Sequence, residues 1–255
     1  MSTVSLNIAD GLAVLTLENE AKLNALTTEM LETLSGCLDA IETSETVRGV
    51  IVTGAGSRAF CCGADIAEWG TLSPVEFSRI WVRRGHRIFD RLARLHVPTI
   101  AALNGHAFGG GLELASACDI RVMAPNATLA LPEARVGIVP GWSGTQRLLR
   151  LLPEPVVKEM ALFGGRIGAV RAAATGFVAT VSDDALTVAR EMADELAALS
   201  PRAVEVSKAM IHAAAGEDSA AMIEALVSAA IAASDDRAEG VAAFLNKKQP
   251  TFSGL

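Results

Sequence analysis

Residues 104–133 decide how the chain is read. They begin Asn104-Gly105-His106-Ala107-Phe108-Gly109-Gly110-Gly111-Leu112-Glu113-Leu114-Ala115-Ser116-Ala117-Cys118-Asp119-Ile120 and, after a short polar break, end Leu131-Pro132-Glu133. Three glycines follow an apolar run and open a segment of helical character. Glycine lets backbone N–H groups come close to a ligand, and a helix N-terminus favours negative charge. Glu113 falls in the first turn of that helix, and Glu133 closes a later apolar run. The pattern points to a donor cradle and two carboxylates converging on one small reacting centre.

The rest of the chain sets bounds on that reading. Its 255 residues suffice for one large domain, or for a domain with a helical appendage. Half are apolar and a fifth are charged, a globular composition. The net charge of −7 argues against nucleic acid as a partner, since such proteins show a basic face. Local Lys and Arg groups can still serve a small anion. Cys37, Cys61, Cys62 and Cys118 match neither a zinc pattern nor a disulfide framework, so no metal is expected and the setting reads as reduced and cytoplasmic. No secretory signal pattern opens the chain, and no apolar run reaches the ~20 residues needed to cross a bilayer.

Along the chain, Val4–Ala9 and Leu12–Leu17 read as strands joined by a hairpin at Asp10-Gly11. Glu18–Leu26 reads as a loop. Thr27–Thr43 has helical spacing, with Thr27 or Thr28 as N-cap. Gly49–Thr53 is a buried strand, and the segment from Arg58 to Ile66 a tight loop. Ser73-Pro74 starts a long helix expected to reach about His96. Strands follow at Pro98–Leu103, at Asp119–Met123 and near Leu129, with the glycine-rich turn and its helix between the first two. Helices are expected at 143–152, 154–163 and 171–174, then a strand at 177–181. From Asp184 onward the pattern is helical throughout: 184–199, 201–215, 218–234 and 236–245. Buried strands alternating with helices suggest βαβ units rather than a sandwich. With no linker in view, the composition shift toward Ala near residue 170 marks a helical subdomain rather than a separate domain, with a core expected at 1–183 and a helical region at 184–255.

Several motifs have blander readings. Gly54-Ala55-Gly56 follows a strand, but what comes next does not continue as the helix a dinucleotide fingerprint needs. Gly141-Trp142-Ser143-Gly144-Thr145 lacks the second glycine of a nucleophile elbow. His86, His96, His106 and His212 form no i, i+4 pair and read as surface or core. Cys61-Cys62 reads as two small apolar fillers. Glu113 stands alone in a run of Gly, Leu, Ala, Ser and Cys. Either it caps a neighbouring helix or meets Arg121 or Arg135, or it is a buried acid–base group whose pKa burial has raised.

Taken together, the sequence resembles the crotonase superfamily, the enoyl-CoA hydratase and isomerase family. The likeness runs through Lys22-Leu23-Asn24-Ala25-Leu26, Ala59-Phe60-Cys61-Cys62-Gly63-Ala64-Asp65-Ile66, Asn104 to Asp119 and Leu131-Pro132-Glu133. It continues in Gly137-Ile138-Val139-Pro140-Gly141, Gly144-Thr145-Gln146-Arg147-Leu148, Asp235 to Gly240 and Phe244 to Phe252. The order of so many matches makes the likeness specific.

The resemblance implies an α/β fold, a spiral of ββα turns with a C-terminal α-helical trimerisation region, assembled as a homotrimer or a dimer of trimers. It implies an acyl-CoA thioester as substrate and no separate cofactor, coenzyme A being part of the substrate. The backbone N–H groups of Ala64 and Gly110 would form an oxyanion hole. Glu113 would act as base on water and Glu133 as the acid that protonates Cα, giving reversible syn hydration of a 2-trans-enoyl-CoA. Lys22, Leu23, Ala25, Asp65 and Ile66 would contact coenzyme A, with Phe244 and Lys247 supplied by a neighbouring subunit. For Lys247-Lys248 a solvated tail is the competing reading. Trp142, beside Gly141 where many relatives have small residues, would line the acyl pocket and favour short, branched or cyclic groups. The alternatives are a Δ3,Δ2-enoyl-CoA isomerase and a non-catalytic acyl-CoA-binding protein.

Overall fold

The turn at Asp10-Gly11 starts the fold. Both residues have positive φ, 50° and 80°, as a two-residue hairpin between right-twisted strands requires. It joins β1 (Thr3–Ala9) to β2 (Leu12–Glu18) in an antiparallel ladder from Thr3↔Glu18 to Ala9↔Leu12. β2 pairs in parallel with β3 (Gly49–Gly54), which is buried along its whole length. A parallel strand covered on both faces needs that continuous apolar run. The computed structural model describes residues 2–216, 227–228 and 231–254.

From β3 to β8 the chain alternates between two sheets. β5 (Thr99–Leu103), β7 (Ile120–Met123) and β10 (Thr180–Val181) extend the first sheet, in the order β1-β2-β3-β5-β7-β10. β4 (Ala59–Cys61), β6 (His106–Phe108), β8 (Thr128–Ala130) and β9 (Arg166–Gly168) form the second, in the order β4-β6-β8-β9. Each turn of the spiral therefore lays one strand on each sheet and follows it with helix. Pairing is parallel in both sheets except at β1–β2 and β8–β9.

Helices cover both faces of the first sheet. In Thr28–Glu42 the Thr27 hydroxyl accepts from the Met30 N–H at 3.2 Å and caps the first turn. Its Met30, Leu31, Leu34, Leu38 and Ile41 are fully buried, at the i, i+3, i+4 spacing of one face. Each such side chain contributes roughly 1.5–3 kcal/mol relative to exposure. On the opposite face, helix Ala185–Asp194 sets Ala185, Ala189 and Ala193 against Val14, Ile51, Ile100, Ala102 and Val122. The chain divides into two compact units, residues 1–201 and 202–255. In the second unit, helix Asp235–Leu245 is capped by Ser234, and its Asp236 carboxylate accepts from the Ser253 and Gly254 N–H groups.

Several sequence expectations need correction. The segment read as a loop at 58–66 contains β4, and the glycine-rich turn is preceded by the short strand β6; β9 was not anticipated. The strand expected at 177–181 shrinks to Thr180–Val181, because the Phe177 and Val178 N–H groups both donate to Ala172 O at the end of helix Ala169–Ala174. The helix expected from Ser73-Pro74 to about His96 starts as read, with a capping box between Ser73 and Glu76. It then widens to π-helical geometry over Phe77–Val82, resumes as α-helix over Arg83–Ala93, and stops three residues short of His96. The helix expected at 218–234 lies mostly outside the described residues.

One loop ties the two sheets together. Leu23 and Asn24 both have left-handed backbones, φ 54° and 56°. Buried Asn24 donates to Ala55 O and Ala59 O, each at 2.9 Å, and accepts from Asn19 N–H at 3.0 Å. Replacing Asn24 by Ala orphans three backbone groups in one step. It should lower stability by about 2–3 kcal/mol, read as a shift in denaturant midpoint at unchanged slope.

Candidate active site

The glycine-rich stretch places its backbone against three neighbours at once. Gly109 has φ 51° and ψ −125°, a conformation open to glycine, and starts helix Gly110–Ser116. A Cβ on Gly109 would come within 2.8 Å of Glu133 Oε1, and one on Gly110 within 2.7 Å of the Trp142 ring. The same position over Gly110 is 3.6 Å from Ala64 N.

Ala64 is held opposite by the loop at 22–26. The Leu26 N–H donates to Gly63 O and the Asp65 N–H to Leu26 O, both at 2.8 Å, and the Cys62 N–H to Leu23 O at 3.0 Å. This parallel bridge between Leu26 and Ala64 uses the flanking residues and leaves the Ala64 N–H out of the ladder. The Gly110 N–H, first in its helix, is likewise outside the intrahelical ladder. Among the described residues neither N–H has an acceptor.

Both glutamates reach the cavity that these N–H groups border. Glu113 Oε1 accepts from the Trp142 and Gly144 N–H groups, each at 2.8 Å. The first of the two alternatives for Glu113 thus holds for one oxygen: it caps helix Gly144–Leu151. Arg121 instead donates to Phe177 O and Cys118 O, and Arg135 to Gly164 O. Burial pushes the Glu113 carboxyl above the usual range, opposed by those N–H groups and by the Arg147 charge. Glu133 opens the turn Glu133–Val136. Burial raises its carboxyl to about 7, against its own backbone N–H and with a further push from the Glu113 charge. Its Oε2 is buried with no hydrogen-bond partner.

The cavity is about 270 Å³ and has apolar walls. Glu113, Glu133, Ala64, Gly110, Ile66, Gly141 and Trp142, all singled out in the sequence, line it together. Asp65 sits just outside, capping helix Ile66–Trp69 and paired with Lys22 at 2.5 Å. Lys22 borders a separate shallow recess with Asn19, Glu20 and Ala55. Leu23 and Ala25 lie on the loop and do not themselves line the cavity, although Leu23 O accepts from Cys62, which does. Phe244 and Lys247 belong to the C-terminal unit; Phe244 is exposed, and Lys247, just past the end of helix Asp235–Leu245, has φ 53°.

Sequence reading missed the far wall: Trp69, Phe77, Trp81 and Val82, brought in by helix Ile66–Trp69 and the π-helical turn. A signal was present, because all three tryptophans of an aromatic-poor chain converge there. Cys62, read as a filler, also lines the cavity. Cys61 is a filler, fully buried with its thiol pushed up to about 12. His86 bonds Ser143 and His106 bonds Thr128. Among the described residues no group of three or more His, Cys, Asp or Glu is placed to hold a metal. No helix among them is long and apolar enough to cross a membrane.

A model of the enoyl-CoA hydratase/isomerase family matches residues 7–254. The chain belongs to that family. A probable enoyl-CoA hydratase of Bacillus subtilis is 38% identical over 259 residues, covering 100% of both chains. A short-chain-enoyl-CoA hydratase of Clostridium acetobutylicum is 34% identical over 98% of this chain and 97% of its own. The crystal structure of an enoyl-CoA hydratase from Bacillus anthracis superposes with a TM-score of 0.81 at 35% identity, covering 99% of each chain. The two-sheet spiral is thus the crotonase fold, and the family implies an acyl-CoA substrate.

The raised Glu133 carboxyl has a stability signature. The unfolded group ionises near 4.5 and the folded one near 7. Between those values the folded chain keeps a proton that the unfolded chain has shed. Stability therefore falls as pH rises through this window and levels off above it. At 1.36 kcal/mol per pH unit the loss is up to about 3 kcal/mol. Glu133→Gln should remove it, so the variant gains on wild type at pH 8 but not at pH 4, as read by denaturant titrations at both pH values.

Proposed function

We propose that the protein is an enoyl-CoA hydratase, adding water reversibly and syn across the double bond of a 2-trans-enoyl-CoA. The observation that carries this reading is the meeting of two buried, raised carboxyls with two backbone N–H groups that have no other acceptor. The thioester oxygen accepts from the Ala64 and Gly110 N–H groups. Water held between the carboxyls attacks Cβ and gives a proton to Glu113. The electron pair of the double bond moves onto the thioester oxygen as an enolate, stabilised by donors already in place. Glu133, in its protonated form, then gives its proton to Cα. One H and one OH are added in total, both from the face where the carboxyls converge.

Lys22, Leu23, Ala25, Asp65 and Ile66 are our candidates for coenzyme A contacts, with Phe244 and Lys247 reaching the site of a neighbouring subunit. Assembly as a homotrimer or dimer of trimers fits the exposure of Met210, Ile211, Phe244 and Leu245, since exposed apolar groups of this size mark contact surfaces. The helical region at 184–255 would carry those contacts. The acyl group runs from the thioester carbon toward Trp142. That indole is 3% exposed and packs on Trp81 and Phe89 with ring centroids 5.5 and 5.1 Å apart. A wall this well supported does not yield, so short, branched or cyclic acyl groups are favoured.

One observation favours an isomerase as the second reading. The buried Oε2 of Glu133 has no hydrogen-bond partner whereas Glu113 Oε1 is held by two N–H groups, and a single carboxyl suffices to carry a proton between the two carbons of a Δ3,Δ2 shift. Hydration of crotonyl-CoA, followed by loss of its ultraviolet absorbance, separates the two. Glu113→Gln and Glu133→Gln should each lower kcat by at least about 10²-fold. Hydration that survives Glu113→Gln would exclude the two-carboxylate mechanism. A wild-type protein that turns over no enoyl thioester would leave a binding protein.

Two further outcomes are expected. Hydration should decline as pH rises past about 7, where Glu133 loses the proton it must donate, measured as kcat/KM against pH. Trp142→Leu should raise the kcat/KM of an eight-carbon relative to a four-carbon enoyl-CoA by about tenfold or more, measured by competition between the two.

A further inference from the structure

The two N–H groups that hold Glu113 belong to a turn with a residue in an unfavoured conformation. Trp142 and Gly144 donate to Glu113 Oε1, and Ser143 lies between them with φ 72° and ψ 16°. The left-handed region costs a residue with a Cβ roughly 1–2 kcal/mol, and Ser143 is neither glycine nor exposed. Its hydroxyl does not cap the helix that follows. It is 2.6 Å from His86 Nδ1 instead. His86 stands on helix Arg83–Ala93, a rigid element, and the residue before it is Gly85. A Cβ on Gly85 would overlap the Trp142 indole. Consecutive residues of the helix thus engage consecutive residues of the turn: Gly85 receives the ring of Trp142, and His86 bonds the hydroxyl of Ser143.

We propose that Gly85-His86 is a positioning element for the acid–base site, in which His86 acts through Ser143 to keep the Trp142 and Gly144 N–H groups on the Glu113 carboxylate. His86 touches no reacting atom. Without its bond the turn relaxes toward the common right-handed region and swings the two flanking N–H groups away. Glu113 then loses both its orientation and the donors that favour its ionised form. The inference rests on the reading of Glu113 as the base. Besides those N–H groups, the charged groups acting on Glu113 and its neighbour are Arg147 from helix Gly144–Leu151 and Glu133 from the opposite turn. Both remain in the variants below.

The test compares wild type with His86→Ala, His86→Asn, Ser143→Ala and Ser143→Gly. Asn places a polar atom near the position of Nδ1, and Gly adopts the left-handed turn without help. His86→Ala and Ser143→Ala should lower kcat on crotonyl-CoA about tenfold, the factor for one lost restraining hydrogen bond, with KM within twofold. The acidic limb of their kcat/KM profile should move to higher pH. His86→Asn should recover most of the loss, and adding Ser143→Gly to His86→Ala should recover part of it. Glu113 ionisation is read separately, by infrared carboxyl titration with Glu113→Gln as the blank, so it needs no turnover. The titration midpoint should rise in His86→Ala.

An unmoved midpoint and acidic limb in a folded His86→Ala would overturn the proposal, as would an equal rise in KM or failure of Asn to rescue. If His86→Ala does not fold, His86→Asn beside Ser143→Ala decides between the two results. Silence of wild type toward every enoyl thioester would defeat the hydratase reading alone. The infrared midpoint would still decide the role of His86.

Discussion

Close approach of three neighbours to the backbone at Gly109–Gly111 is the constraint on which the rest of the site depends. Each glycine admits a different neighbour. Gly109 lies under Glu133 Oε1, Gly110 under the Trp142 ring, and Gly111 against the backbone of Cys61. A methyl group at any of the three would push away one part of the chemistry: a carboxyl, the end wall of the cavity, or the strand leading to Ala64. The run is therefore a packing solution as much as a flexible turn. It also explains why helix Gly110–Ser116 is short and wholly buried, since its first turn is a floor on which other elements rest.

The two carboxyls differ because their surroundings differ. Glu113 gives one oxygen to a pair of N–H groups at the start of a helix, so burial is opposed by fixed dipoles. Glu133 has little to oppose burial beyond its own N–H, and its second oxygen has no partner. A buried polar atom without a partner costs on the order of 1–3 kcal/mol. In a cavity bordered by free donors such an atom suits a group that meets a ligand. The opposite demands that the proposed roles of base and acid make would thus fall on residues of the same type, placed at different depths in the hydrogen-bond framework.

Much of this was legible in the sequence, for identifiable reasons. The hairpin at Asp10-Gly11 and helix Thr28–Glu42 carry local signals: a two-residue turn with positive φ, and a capped repeat of apolar residues. The pair Glu113 and Glu133 stood out because carboxyls are rare in apolar runs. β4, β6 and β9 were not legible: each has three residues, too few for any period to show, and exists through partners distant in the chain. The π-helical turn was hidden because its residues alternate as an ordinary helix would. His86 looked inert because its partner, Ser143, lies 57 positions away. Gly85 was unreadable for the same reason: what it makes room for is contributed by another element.

The alternation of strands between two sheets bears on how the molecule comes into being. Every strand of the first sheet from β3 to β7 pairs with the strand laid down before it in that sheet, and the second sheet grows alongside in the same order. As the chain leaves the ribosome, each turn finds its template already in place, and the entropy of closing each loop is met one coil at a time. The cavity that holds the two glutamates does not share that order. Ala64 arrives with the first coil, Glu113 with the second, and Glu133 and Trp142 only with the third. The strands that pair first are thus synthesised before the last residues of the chamber, which needs contributions from all three coils.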